Sequence, residues 1–114
     1  MDPLGLAEIG KTGLKVSRLG VGGVAIGRTS TAEESDETLK RCVELGVRYF
    51  DTAPLYGGGV SEKRYGEVLS SIPRSSFTIS TKVGRLLEAP APTPVGAVIG
   101  PGGSSDMPYI YDYD

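Results

Sequence analysis

The feature of this sequence that most restricts its fold is the alternation of short apolar runs with helical patterns. Three β-rich runs lie at residues 19–23, 47–50 and 77–81, and a helical pattern separates each from the next. Such alternation is typical of the βαβ units of an α/β protein with a parallel sheet. Parallel strands need helices on their outer face and further strands at both edges, so we expect only the beginning of a larger architecture. Since a (β/α)8 barrel has roughly 250 residues, the 114 residues of this chain would be a little under half of one.

Glycines and alternating residues before the first of these runs predict a β-hairpin. Two short runs, 7–9 and 14–19, flank the segment 10–13, whose glycines can adopt positive φ. The second run continues into residues 19–23, which we interpret as a buried strand. The predicted order is therefore hairpin, β, α, β, α, β.

The two predicted helices differ in their end signals. Thr31 and Glu34 match a capping box, and Gly46 follows the last apolar position, so a helix is predicted from about 32 to 45. In the second, shorter helix Ser61 is the expected N-cap. The apolar positions of that helix are Tyr65, Val68 and Leu69.

The composition argues against several classes of protein. With 39% hydrophobic and 23% charged residues, the chain is expected to be soluble and globular. Its apolar runs are far shorter than the ~20 residues of a membrane-spanning helix, and its start lacks the pattern of a secretory signal, so we expect a cytoplasmic protein. The single cysteine, Cys42, is expected to be a small core residue. A net charge of -2 gives no basis for binding nucleic acid or membrane, and a small-molecule ligand without a metal site is predicted.

The composition changes after Arg85. Every lysine and arginine lies at or before this residue, and the segment 89–108 contains five prolines and four glycines. Such a composition favours an irregular segment over a packed element. We therefore predict an α/β part over residues 1–88 and a Pro/Gly-rich irregular tail over residues 89–114.

Three residues with complementary proton chemistry follow the second and third β-rich runs. Asp51 ends the second run, Tyr56 lies five residues later, and Lys82 follows the third run. Active sites of parallel α/β barrels form at the carboxyl ends of the strands, where these residues are expected to lie. A free tyrosine has a pKa of about 10, which a nearby ammonium lowers, while a carboxylate keeps that ammonium charged and in place. The three groups together could transfer a proton to a carbonyl oxygen, which is half of a carbonyl reduction.

Each of these residues also has a purely structural interpretation. Asp51 could cap a turn, Tyr56 could be a loop aromatic, and Lys82 could be a solvated strand terminus. Any one of them alone is weak evidence for catalysis. Their combination at matching positions of two β-rich runs is what favours an active site.

The residues around this trio resemble a known family. The segment 46–66, which contains Asp51 and Tyr56, resembles the signature of the aldo-keto reductases around their catalytic aspartate and tyrosine. Lys82, after Ile79-Ser80-Thr81, corresponds to the lysine of that family's catalytic tetrad. The glycines at 57–59 before the helix start are similar to those of the sugar 1-dehydrogenase branch.

This resemblance covers about residues 5–88 and implies both a fold and a function. The fold is the first three strands and two helices of a (β/α)8 barrel, preceded by a hairpin that closes its bottom. The implied catalytic residues are Asp51, Tyr56 and Lys82, and the implied contacts to NADP or NAD are Gly22, Gly23 and Asp51. The two glycines could equally be glycines at a strand exit. The complete protein would oxidise an aldose at C1 to a lactone, or reduce a carbonyl compound in the reverse direction.

The sequence also departs from that family. It contains no histidine, whereas the family's fourth catalytic residue is a histidine at the end of the fourth strand. The half of the barrel that grips the phosphates of the cofactor is also missing. We therefore expect a truncated chain that is inactive and binds the cofactor weakly or not at all. Two alternatives are a non-catalytic interaction module, like the potassium-channel β-subunits that share this fold, and an inert gene fragment.

Overall fold

The computed structural model describes residues 1–87 and 109–111. At its start, strand β1 (Leu6–Glu8) pairs antiparallel with strand β2 (Lys15–Ser17). Gly10 and Gly13, in the turn between them, have φ angles of 56° and 76°, which glycine adopts without a steric penalty. The predicted hairpin is confirmed, with strands shorter than the alternating runs.

A three-stranded parallel sheet follows the hairpin. Its strands are β3 (Gly20–Gly22), β4 (Tyr49–Asp51) and β5 (Thr78–Ser80), and they pair in chain order. This is the arrangement with which a (β/α)8 barrel begins. Within the described residues β3 and β5 are the edges of the sheet, so the barrel is incomplete.

The two faces of this sheet differ in polarity, because successive side chains of a strand point to opposite faces. Phe50 is fully buried on one face, where the partly buried Val21 and Ile79 also pack against the core. The opposite face, here called the polar face, carries Gly20, Gly22, Tyr49, Asp51, Thr78 and Ser80. Two of the residues that the sequence singles out, Gly22 and Asp51, therefore lie on the face away from the core.

The expectation of a buried strand over residues 19–23 was wrong for most of that run. Leu19 is 52% exposed, Val21 is only partly buried, and both glycines of β3 are exposed. The physical reason is that β3 is at the edge of the sheet in the described part of the chain, and its two exposed glycines lie on the polar face.

Helix α2 (Ala32–Glu44) begins and ends where the sequence predicts. The Oγ1 of Thr31 accepts a hydrogen bond from the backbone amide of Glu34 at 3.2 Å, and the Glu34 carboxylate accepts one from the Thr31 amide at 2.8 Å. These two bonds satisfy amides that have no partner inside the helix. Gly46, with φ of 92°, turns the chain out of the helix towards β4.

Two features of the other helices differ from the sequence-based expectation. A short helix, α1 (Gly23–Arg28), lies between β3 and α2 and was not predicted, since glycine has a low helix propensity. Helix α3 (Val60–Leu69) has Gly59, not Ser61, at its N-cap position. The Ser61 side chain is fully buried and makes a different bond, described below.

The core lies between the helices and the apolar face of the parallel sheet. Cys42 is partly buried and packs against this core as predicted, and its burial raises the pKa of the thiol. The buried core residues are Ile26, Leu39, Val47, Phe50, Tyr65, Val68 and Leu69.

No helix in the described ranges combines the length and apolar character that crossing a bilayer requires.

Two short strands lie near the predicted boundary of the tail. Strand β6 (Arg85–Leu87) pairs antiparallel with β7 (Tyr109–Tyr111), so these last three residues are a strand within the predicted irregular tail. The rest of the predicted tail, 89–108 and 112–114, lies outside the described residues. The division of the chain near residue 88 stays a prediction.

Candidate active site

Asp51 and Lys82 form an ion pair at the carboxyl ends of β4 and β5. Lys82 Nζ donates a hydrogen bond to Asp51 Oδ2 at 2.8 Å and a second one to the carbonyl oxygen of Thr52 at 3.0 Å. The two charged residues are 31 positions apart in the sequence. They meet because the carboxyl ends of adjacent parallel strands lie at the same edge of a sheet.

Tyr56 lies in the loop between β4 and α3, beside this ion pair. Lys82 Nζ is 5.1 Å from the centroid of the Tyr56 ring, a distance at which a cation is attracted to an aromatic face. Tyr56 and Lys82 line a cleft of about 270 Å³. Its other walls are Ala53, Pro54, Leu55 and Val83. The structure thus brings together the three residues that the sequence singled out as catalytic.

The ion pair stabilises the charged form of both partners. The hydrogen bonds from Lys82 and then from Ser80 lower the pKa of the Asp51 carboxyl group. The hydrogen bond to Asp51 raises the pKa of Lys82. Both side chains stay in contact with water, since 48% of the Lys82 side chain and 39% of the Asp51 side chain are exposed. At neutral pH a positive charge is therefore held beside Tyr56.

Of two residues that the sequence analysis missed, Ser80 contacts Asp51 from its other side and Tyr49 contacts Ser80. Ser80 Oγ donates a hydrogen bond to Asp51 Oδ1 at 2.6 Å, and the Tyr49 hydroxyl lies 3.2 Å from Ser80 Oγ. A signal for them was present in the sequence. Tyr49 and Asp51 are two residues apart, as are Thr78 and Ser80, so each pair shares one face of its strand.

A second pair of polar groups lies directly behind the ion pair, on the helix side of the sheet. Thr52 Oγ1 and Ser61 Oγ are 2.8 Å apart, and both residues are at most 1% exposed. This bond joins the end of β4 to the first turn of α3. The loop that carries Tyr56 is therefore attached at both of its ends, which accounts for a buried serine near the start of α3.

Helix α1 supports the same loop through a close contact between backbones. A Cβ atom on Gly27 would lie 2.5 Å from the carbonyl oxygen of Tyr56, and one on Gly57 would overlap the carbonyl oxygen of Gly27. Gly57 also has a φ angle of 68°, which disfavours other residues. The absence of side chains at these two positions lets α1 pack directly against the backbone of Tyr56.

Residues 18–105 match the family model described as the Aldo/keto reductase family. The chain belongs to the aldo/keto reductase family. Among curated relatives, the D-threo-aldose 1-dehydrogenase of a Pseudomonas species is 46% identical over 78 residues, which cover 66% of this chain and 24% of that protein. The L-galactose dehydrogenase of Arabidopsis thaliana is 39% identical over 93 residues, covering 77% of this chain and 29% of that protein.

Solved structures of aldo/keto reductases have the same fold. The holo form of such a reductase from Bacillus halodurans superposes with a TM-score of 0.69 and is 27% identical, over 94% of this chain and 30% of that chain. The described residues of the present aldo/keto reductase accordingly form the first part of a (β/α)8 barrel. The chain spans about a quarter of the length of the curated relatives it matches.

The two glycines that the sequence analysis expected to contact a cofactor have different surroundings. Gly23 is buried, and a Cβ there would lie 2.6 Å from Ser61 Oγ and 2.8 Å from the carbonyl oxygen of Asp51. Internal packing therefore explains a glycine at position 23. Gly22 is exposed beside Asp51 in the sheet, and no atom of the described residues lies within 4 Å of a Cβ built on it. Gly22 and Asp51 are paired at the carboxyl ends of β3 and β4, where Gly22 leaves the surface of the sheet open.

Proposed function

We propose that the protein to which this chain belongs is an NAD(P)-dependent oxidoreductase that oxidises an aldose at C1 to a lactone. In the reverse direction it would reduce a carbonyl compound. The observation that carries this proposal is the meeting of Asp51, Lys82 and Tyr56 at the carboxyl ends of β4 and β5. The relatives named D-threo-aldose 1-dehydrogenase and L-galactose dehydrogenase support a sugar as the substrate.

Tyr56 is the group that exchanges a proton with the substrate. Oxidation at C1 removes a hydride from carbon and a proton from the hydroxyl oxygen, and the phenolic oxygen of Tyr56 accepts that proton. To accept it, Tyr56 must be in its phenolate form, which the ammonium of Lys82 stabilises because the two groups are close and the site is only partly solvated; accepting the proton leaves Tyr56 as a neutral phenol. Reduction uses the same groups in the opposite order, with Tyr56 donating the proton to the carbonyl oxygen.

Asp51 keeps Lys82 charged and directed towards Tyr56. Its carboxylate raises the pKa of Lys82, and the carbonyl oxygen of Thr52 accepts a second hydrogen bond from the same ammonium. Two acceptors restrict the rotation of a side chain that otherwise has many rotamers. Lys82 is therefore already in place when a substrate enters the cleft, which reduces the ordering required at the time of reaction.

The open surface at Gly22 and Asp51, at the carboxyl ends of β3 and β4, fits the nicotinamide end of NAD or NADP. A bound nicotinamide supplies or accepts the hydride. Gly22 leaves space for an approach to the backbone, and the partly exposed Asp51 carboxylate can accept hydrogen bonds from a ribose hydroxyl. Gly23 would contribute through its backbone position alone, because its side-chain direction points into the protein.

The proposal is tested with residues 1–87 joined to the remaining part of the D-threo-aldose 1-dehydrogenase. We expect the joined protein to reduce NAD(P) in the presence of an aldose, and Tyr56→Phe to lose nearly all turnover while cofactor binding is kept. This follows because the substitution deletes the proton donor and acceptor but none of the proposed cofactor contacts. The 114-residue chain alone gives the baseline, and we expect no turnover from it, since it contains no histidine.

A matched pair of lysines provides the control. Lys82 and Lys40 are both ion-paired to an aspartate, at 2.8 Å and 2.7 Å, but Lys40 lies on the exposed surface of α2. Lys82→Met is expected to lower kcat strongly, and Lys40→Met to leave it unchanged. Retention of most of the turnover in Tyr56→Phe would show that Tyr56 is a loop aromatic without a catalytic role.

A further inference from the structure

We propose that Tyr49 and Ser80 are positioning residues, which form a hydrogen-bonded chain that holds the Asp51 carboxylate in the orientation that binds Lys82. The significance of this chain for catalysis rests on the proposed function above. Its existence rests on three contacts: Ser80 Oγ to Asp51 Oδ1 at 2.6 Å, Tyr49 hydroxyl to Ser80 Oγ at 3.2 Å, and Lys82 Nζ to Asp51 Oδ2 at 2.8 Å.

The chemistry of the serine hydroxyl gives the chain a direction. Ser80 has one hydroxyl hydrogen, and the ionised carboxylate of Asp51 can only accept, so that hydrogen goes to Asp51 Oδ1. The oxygen of Ser80 is then an acceptor for the hydroxyl hydrogen of Tyr49. A donor that is itself polarised by another donor makes a stronger bond to a carboxylate, and the 2.6 Å distance agrees with a charge-assisted bond.

The backbone places these groups together without needing a flexible side chain. Asp51 and Ser80 are direct partners in the parallel register of β4 and β5, and Tyr49 lies two residues before Asp51 on the same face. The Tyr49 ring lies over Gly20 of β3, where a Cβ would be 2.8 Å from the ring atom Cδ1. A side chain at position 20 would therefore displace the ring, so the chain of hydrogen bonds depends on all three strands.

The consequence for the site is that each oxygen of the Asp51 carboxylate has its own donor. Ser80 occupies Oδ1 and Lys82 occupies Oδ2, so the carboxylate cannot rotate without losing both bonds. The ionisable groups that interact with this carboxylate in the described structure are Lys82, which pairs with it, and Tyr65, whose pKa its charge helps to raise. Neither of them contacts Oδ1, which leaves Ser80 as the group that orients this oxygen.

The test is a carbon-13 NMR titration of the Asp51 carboxyl group in the full 114-residue chain. Ser80→Ala is expected to raise the titration midpoint of Asp51, because the substitution removes a donor that stabilises the ionised form. Tyr49→Phe is expected to raise it by a smaller amount, and Ser80→Thr is expected to restore the original midpoint, because it keeps the hydroxyl group.

Thr78→Ala is the matched control for this titration. Thr78 lies on the same strand and the same face as Ser80, but its hydroxyl makes no hydrogen bond to Asp51. We expect no shift of the Asp51 midpoint in this variant. An unchanged midpoint in Ser80→Ala, or an equal shift in Thr78→Ala, would overturn the proposal.

The readout separates this proposal from the proposed function. The titration measures the environment of one carboxyl group and needs no turnover, so an inactive joined protein would leave the titration result unaffected. If Ser80→Ala does not fold, as judged by circular dichroism, the comparison between Tyr49→Phe and Ser80→Thr decides. A raised midpoint in the former and an unchanged one in the latter supports the chain of hydrogen bonds, and the absence of that difference refutes it.

Discussion

Asp51 and Thr52 are neighbours in the sequence, yet their side chains lie in opposite environments. Asp51 lies on the polar face, where it is charged, 39% exposed at its side chain and paired with a partly solvated lysine. Thr52 lies on the helix side, 1% exposed, and its hydroxyl is paired with that of Ser61. The difference shows how one strand end separates two tasks, since the exposed side offers reactive groups and the buried side holds the strand and helix together.

The physical reason for this division is the cost of removing charge from water. A neutral hydroxyl can be buried at little cost if it finds a partner, whereas a buried ion pair must offset a large desolvation penalty. A half-exposed ion pair avoids that penalty and contributes little to stability. The buried groups behind the site therefore determine its rigidity, and the exposed groups can be arranged for chemistry.

Tyr56 and Tyr65 differ in the same way. Burial, and then the charge of Asp51, raises the pKa of Tyr65, whose hydroxyl donates a hydrogen bond to the carbonyl oxygen of Val21 at 3.2 Å. Tyr65 is therefore held neutral as a structural donor. Tyr56 lines an open cleft and lies next to a cation. The two tyrosines thus have different surroundings, one buried and hydrogen-bonded, the other in a cleft beside Lys82.

The largest effect that tests this division is expected on the buried side. Phe50→Ala is predicted to lower the free energy of unfolding by about 3–5 kcal/mol, because it leaves a cavity where a fully buried ring contacts Tyr65 and Phe77 edge to face. The measurement is urea denaturation followed by circular dichroism. If Phe50→Ala lowered the free energy of unfolding by less than the exposed-site variant Asp51→Asn, the core would not be the main source of stability.

A smaller loss is expected where α1 supports the loop of Tyr56. Gly27→Ala should lower the free energy of unfolding by about 1–3 kcal/mol, because the new Cβ meets a backbone oxygen that cannot easily move. Gly66→Ala on α3 is the control, since a Cβ there meets nothing within 4 Å among the described residues. That variant should gain up to about 1 kcal/mol from better helix propensity. Equal effects of the two substitutions in urea denaturation would contradict the close contact.

Thr52→Val tests the buried hydroxyl pair. The substitution leaves the hydroxyl of Ser61 buried without its partner. It is therefore expected to lower the free energy of unfolding by an amount at the lower end of about 1–3 kcal/mol. The double variant Thr52→Val with Ser61→Ala should recover part of this loss, because no unpaired hydroxyl remains. A double-mutant cycle on the unfolding free energies measures the coupling between the Thr52 and Ser61 hydroxyls. If the losses of the two single variants simply add in the double variant, the two hydroxyls are not coupled.

The smallest effect on stability is expected at the exposed ion pair. Asp51→Asn should change the free energy of unfolding by less than about 1 kcal/mol at neutral pH, because both partners are partly solvated. The folded-state pKa of Asp51 is lowered, so this small contribution is present above the unfolded value of about 3.9 and is lost as the pH falls through the lowered pKa. The unfolding free energies of the unsubstituted chain and of Asp51→Asn, measured by urea denaturation, should therefore converge as the pH falls. A difference that grows in acid would contradict the lowered pKa of Asp51.

Several elements could be predicted from the sequence because their signals are local. The hairpin follows from glycines between two alternating runs, and α2 follows from the capping residues Thr31 and Glu34 and the glycine at 46. The placement of Asp51 and Lys82 could also be predicted, because residues that follow successive parallel strands lie at one edge of the sheet. Helix α1 escaped prediction because its glycines disfavour a helix, and its formation depends on packing against the loop of Tyr56.

The sequence by itself determined the order of the hairpin, the three parallel strands and the two longer helices, and the location of the candidate site residues at the strand ends, since periodicity and turn chemistry act over a few residues. Only the tertiary structure decided which polar groups meet: Ser61 pairs with Thr52 instead of capping α3, and Ser80 binds Asp51. The same is true of the contact between Gly27 and the backbone of Tyr56. These contacts join residues from different elements, and they depend on strand register and helix position to within a fraction of an ångström, which no short-range pattern encodes.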